Sequence, residues 1–161
     1  MILRRIREFF LPHVRPVGAL AIPHESGPGP TTGQHWACDP ALCTVDVLGP
    51  TMVATVVERD LSGQRVADLS FQLRAVLSDP GNTSVRNLVV DLQNVEVLDS
   101  TCLGVLVELL QAVKALGGNI AVVSAAHRVE ALFKLTRLDK VFPIRREVLS
   151  AIGLVEGRAA A

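Results

Sequence analysis

The chain has 161 residues, of which 49% are apolar, and its 16 basic side chains balance 16 acidic ones. That is enough for one hydrophobic core plus an extension, and it lacks the basic excess with which a nucleic-acid binder meets phosphates. Aromatics make up 4% with no Tyr, which also removes stacking platforms for bases.

Residues 1–11 predict a short basic helix with Ile2, Ile6, Phe9 and Phe10 along one side. Such a segment suits peripheral contact with an anionic membrane surface or a partner, although alone it is short for a stable helix. It does not read as a secretory leader, because Arg7 and Glu8 interrupt the apolar part and Pro12 stops it. No apolar run reaches the roughly 18 residues of a membrane span, so the expected location is cytoplasmic. Residues 12–40 are rich in Gly and Pro, which block helix and central-strand hydrogen bonding, and read as a linker. His35, Cys38 and Cys43 lie close in sequence but include no CxxC pair. They supply one ligand too few for a closed zinc site, so no metal is expected. An odd count of three cysteines does not suggest a secreted disulfide framework.

From Thr44 strand and helix signals alternate. TVDVLG and MVATVVE are short β-branched runs separated by the turn pair Gly49-Pro50. SGQRVADLSFQLRAVLSD places Val66, Leu69, Leu73, Val76 and Leu77 at helical spacing. VRNLVVDL is apolar enough for a central strand. The helix that begins near Ser100 should stop at Gly117-Gly118. NIAVVS, AAHRVEALFKLTRL, KVFPI and RREVLSAIG continue as strand, helix, strand and helix. The order β-β-α-β-α-β-α-β-α predicts a single α/β domain over residues 44–152, with an extension over 1–43 and a tail over 153–161.

The joint LDSTCLG holds an acid, two hydroxyls and a thiol between apolar runs, at a strand's carboxyl end where α/β sheets gather functional groups. Ser100 is placed to be the helix N-cap. A phosphate on its oxygen would face the positive end of the helix and add about −1.5 to −2 charges. Capping alone also accounts for both Asp99 and Ser100. Cys102 reads as a small buried apolar residue, or as a thiol whose pKa would fall at a helix N-terminus. Leu103, Leu106, Val107, Leu110 and Val113 form the expected core stripe. Val105 and Leu109 lie off it, as a docking surface or a second covering helix would require.

The run NLVVDLQNVEVLDSTCLGVLVELLQAVKALGGNIAVVSAAHRVEALFKLTRLDKVFPI resembles the STAS domain, and within it the bacterial anti-sigma factor antagonists. The resemblance covers residues 44–152 and is most specific over 87–144. It implies a mixed sheet of four to five strands packed against helices, and a partner switch. The serine after the motif Asp is phosphorylated by an anti-sigma factor that is itself a serine kinase. The bare antagonist binds that kinase and frees the sigma factor; phosphorylation releases it, and a phosphatase resets it. By position the acceptor is Ser100. Asp99, Ser100, Thr101, Cys102, Leu103 and Gly104 form the partner-binding motif. The protein would then be a substrate and binding module with no cofactor of its own, since ATP and magnesium belong to the kinase.

Cys102 and Arg137 stand where the family usually has Gly, and VERDLSGQRV replaces a Gly-Glu-Leu-Asp-like element. The alternative reading is a STAS subunit or scaffold in a membrane-associated transporter or sensory complex, bound but never switched. A receiver domain phosphorylated on Asp99, with Glu58 and Asp60 completing an acidic pocket, is disfavoured by two strands preceding the first helix. No P-loop, GxSxG, HExxH or CxxC pair appears, so an enzyme is not expected.

Overall fold

The computed structural model describes residues 38–157, and the predicted basic helix and nearly all of the linker lie outside them. Strands β1 (Cys43–Leu48) and β2 (Thr51–Val56) form an antiparallel hairpin across Gly49-Pro50. β1 begins one residue earlier than expected, and Leu42 before it is also fully buried. A two-residue β3 (Asp60–Leu61) leads into α1 (Gln64–Leu77). β4 (Asn87–Asp91), β5 (Val97–Leu98) and α2 (Ser100–Ala115) follow. The chain ends its fold with β6 (Ile120–Val123), α3 (His127–Leu135), β7 (Ile144–Arg145) and α4 (Val148–Val155).

The main sheet runs β1-β2-β4-β6-β7, antiparallel only at β1/β2. Its five strands fall within the mixed sheet of four to five strands that the family resemblance implies. Side chains on a strand alternate between faces, and here both faces are covered. Met52, Ala54, Leu88, Val90, Ile120 and Val122 join the core with α1, α2 and α3. Val53, Val89, Ala121 and Val123 pack with Val148, Ala151 and Val155 of α4. Two-sided burial explains why β4 and β6 are continuous apolar runs.

α2 ends in a Schellman motif: Gly118 N–H donates to the Val113 carbonyl at 3.0 Å and Gly117 N–H to that of Lys114 at 3.0 Å. Gly117 supplies the left-handed φ of 73°. Gly118 is needed for a different reason, since an added Cβ would lie 1.8 Å from the Arg86 carbonyl oxygen. That oxygen belongs to the chain entering β4, so relief requires moving backbone. Gly118→Ala is therefore expected to cost about 2 kcal/mol or more, read as a lowered urea midpoint at unchanged slope. An unaltered midpoint would show that the β4 entry yields freely.

Phe133 of α3 meets Phe142 edge-on, with centroids 6.0 Å apart, and ties this helix to the segment before β7. Between them Arg137 adopts φ 58° and ψ 17°, a left-handed conformation disfavoured for a residue with a Cβ. This gives a physical reason for the glycine usual there. Arg137→Gly should raise Tm by about 2–4 °C in a thermal scan; a fall would mean that the exposed arginine makes contacts outweighing the strain.

Candidate functional site

The carboxyl ends of β2, β4 and β6 share one end of the sheet, as parallel strands must. Residues 57–63, 92–99 and 124–126 connect them to the elements that follow. Two of these connections are stitched together by a second, two-stranded sheet in which Asp60 and Leu61 of β3 pair with Val97 and Leu98 of β5. The Arg59 carbonyl extends the ladder by accepting from Glu96 N–H at 2.8 Å and Val97 N–H at 3.1 Å. Buried Leu61 anchors it in the core. This small ladder was not foreseen, yet it fixes where the joint sits.

Asp99 is the N-cap of α2, not Ser100 as expected. Its backbone is still extended (φ −101°, ψ 173°), and Oδ1 accepts from Cys102 N–H at 2.9 Å. A carboxylate at the end of β5 reaches the third amide of the helix, so the following serine is already helical. Oδ2 accepts from Gly63 N–H at 3.2 Å. Gly63 has φ 56° and ψ −130°, a conformation open to glycine, and caps α1. One carboxylate thus links the starts of both helices. The Cys102 and Gly63 amides, in that order, hold it below the usual carboxylate range. By linkage, this carboxylate stabilises the fold above its ordinary pKa, and that contribution is lost as the pH falls through the lower folded value.

Relieved of capping, Ser100 occupies the first turn of α2 and is exposed. Thr101 and Gly104 are exposed as well, and Asp99 is half-buried. Cys102 and Leu103 turn inward and are 1% and 5% exposed. Of the six motif residues, the surface therefore offers Asp99, Ser100, Thr101 and Gly104, while Cys102 and Leu103 belong to the core. Ser100 and Gly104 are four residues apart and share one helix face. A Cβ added at Gly104 would meet nothing within 4 Å.

The expectation of a low-pKa thiol at Cys102 is reversed. Burial, aided by the Asp99 charge, pushes it up to about 12, leaving the small buried apolar residue of the other reading. The core stripe also differs from expectation. Val105 and Leu109 are buried, whereas Val107 and Leu110 are only partly so. The covering helix is α1, which packs along α2 and is joined to it at the surface by Arg74 and Glu108 at 2.8 Å. The two apolar residues off the expected stripe, Val105 and Leu109, are therefore internal.

The acidic pocket of a receiver is not assembled. Glu58 pairs with Arg65 at 3.1 Å, and both oxygens of Asp99 are held by amides. Among the described residues no three His, Cys, Asp or Glu side chains gather as a metal site. No helix among them is long and apolar enough to cross a membrane. Beside the joint, Glu96, Val97, Leu98, Arg128, Val129 and Leu132 line a shallow groove, which the sequence did not signal because β5 and α3 are distant along the chain.

A family model described as the STAS domain matches residues 44–151. A Thermotoga neapolitana protein provisionally named an anti-sigma factor antagonist is 36% identical over 77 residues, which are 48% of this chain and 68% of that one. The crystal structure of an anti-sigma factor antagonist from Mycobacterium paratuberculosis superposes with a TM-score of 0.60 at 27% identity, covering 71% of this chain and 92% of that one. The anti-sigma factor antagonist SpoIIAA in its unphosphorylated form shares the fold at a TM-score of 0.58 and 14% identity, covering 71% of this chain and 96% of that one.

Proposed function

Because the chain belongs to the STAS domain family, with relatives named as anti-sigma factor antagonists, we propose that it is itself such an antagonist, switched at Ser100. Unphosphorylated, it binds an anti-sigma factor that is also a serine kinase and so frees a sigma factor. Phosphorylation of Ser100 releases it, and a phosphatase restores the binding form. The protein is substrate and binding module, and it acts on transcription through a protein partner.

The observation that carries this reading is the division of labour at the joint. Asp99 performs the capping that a serine would otherwise share, leaving an exposed hydroxyl at the start of α2. With the cap already occupied by a carboxylate, a phosphate at Ser100 would project toward whatever approaches this face. It would add about −1.5 to −2 charges where a partner's surface has to close. Cys102 does not obstruct that approach, since its side chain lies under the helix.

The test is a titration of the full chain into the cognate anti-sigma factor. A stoichiometric complex that dissociates on addition of ATP and magnesium is expected. A complex indifferent to ATP would favour a STAS subunit bound without switching, and absence of any complex would remove the antagonist reading.

A further inference from the structure

The constellation of His35, Cys38 and Cys43 takes on a different character in the fold. His35 lies outside the described residues, but the two cysteines are brought together by a single tight turn. The Asp39 carbonyl accepts from Leu42 N–H at 2.9 Å and from Cys43 N–H at 3.0 Å. The Asp39 side chain accepts from Ala41 N–H at 2.9 Å, and its own N–H is anchored on Gln72 of α1 at 2.9 Å. Cys43 is the first residue of β1, fully buried and paired with Val56. Cys38 is half-exposed and packs against the core that contains Cys43, near enough for that thiol to act on its pKa.

We propose that Cys38 and Cys43 are a dithiol modification site, separate from Ser100, which a hydroperoxide converts into an intramolecular disulfide where residues 1–37 join the sheet. The roles of the two thiols follow from their surroundings. Cys38 is accessible, and the neighbouring Cys43 thiol favours its thiolate, holding its pKa below the ordinary value. Cys43 is held in its protonated form by that same interaction and by burial. The Cys38 thiolate attacks the peroxide, forming an S–O bond as the O–O bond breaks, and the leaving oxygen takes a proton to become water or an alcohol. Cys43 sulfur then attacks Cys38 sulfur. The S–S bond forms, the S–O bond breaks, and the departing hydroxide takes the Cys43 proton as water. Two thiols lose two electrons in all and one peroxide gains them. Closing thiol contact to a bond of about 2.05 Å falls to Cys38, which lies outside the strand ladder. Cys102 takes no part, since its thiol is buried in the α1–α2 core. Thiol pairs of this kind in reducing compartments are characteristically transient and redox-sensing.

The test exposes the reduced, full-length protein to hydrogen peroxide, then alkylates it under denaturing conditions and counts labels by mass spectrometry. The chain has three cysteines, and the label count is expected to fall from three to one, with the survivor on Cys102. Cleavage before Asp39 should leave two fragments joined until dithiothreitol is added. In Cys38→Ser, both remaining thiols should still be labelled after peroxide. Three labels after peroxide, over-oxidation of Cys38 with Cys43 still labelled, or a disulfide through Cys102 or between chains would each overturn the proposal. Loss of the Cys43 label in Cys38→Ser would do the same.

Discussion

Phosphorylation of Ser100 is expected to weaken binding to the cognate anti-sigma factor more than a hundredfold, a shift of about 3 kcal/mol. Ser100→Asp should reproduce at least a tenfold part of that. The effect is large because the added charge cannot be absorbed locally. The amides of Cys102 and Gly63 already donate to Asp99. A phosphate one residue on must therefore remain at the surface beside a carboxylate, and closing a partner over it incurs both desolvation and repulsion. Ser100→Ala, by contrast, removes a hydroxyl that caps nothing. It should bind like the unmodified protein and no longer be released by ATP. Calorimetric titration of the three forms separates these outcomes. Equal affinity for Ser100→Asp and the parent would show that the partner docks elsewhere.

Gly104 is expected to separate stability from binding. A glycine inside a helix costs about 1 kcal/mol relative to alanine, and at this position a Cβ would touch nothing. The fold therefore has no evident need for the glycine that the motif carries. On the proposed reading its value would lie outside the domain, as a place where a partner's backbone could approach α2 one turn beyond Ser100. Gly104→Ala should raise Tm by about 2–4 °C, and Gly104→Gln should keep the fold while lowering affinity for the anti-sigma factor at least tenfold, about 1.4 kcal/mol. If Gly104→Gln binds as tightly as the parent, this face of α2 is not the contact surface. If Gly104→Ala unfolds earlier, the glycine is structural after all.

The strands β4 and β6 were legible because both faces of a central strand are buried, which leaves an unbroken apolar run. The end of α2 was legible because a Schellman turn demands a residue tolerant of positive φ, and Gly117 advertises it. The order of elements followed from these signals together with the helical spacing in α1. The ladder of β3 and β5 was not legible. Two residues carry no periodicity, and their pairing depends on segments more than thirty residues apart. The choice of Asp99 over Ser100 as cap is hidden in the sequence for a related reason. Asp99 and Ser100 are both good caps, and which one serves depends on where β5 releases the chain. The same blindness to neighbours placed Val105 and Leu109 off the core stripe, because a helix covered on two sides by sheet and α1 has a wider buried arc than a single face supplies. For Cys102 the sequence offers both a small buried apolar residue and an activated thiol, and its burial decides for the first.

The proposed switch turns on one atom, the Ser100 hydroxyl oxygen. Incubation of the full chain with its cognate anti-sigma factor, ATP and magnesium, followed by mapping of phosphate by mass spectrometry, tests it most directly. A single phosphate on Ser100, absent from Ser100→Ala, and a modified protein that no longer co-elutes with the kinase are expected. Phosphate on Thr101 or elsewhere, no phosphate at all, or a phosphorylated protein that still co-elutes would contradict it.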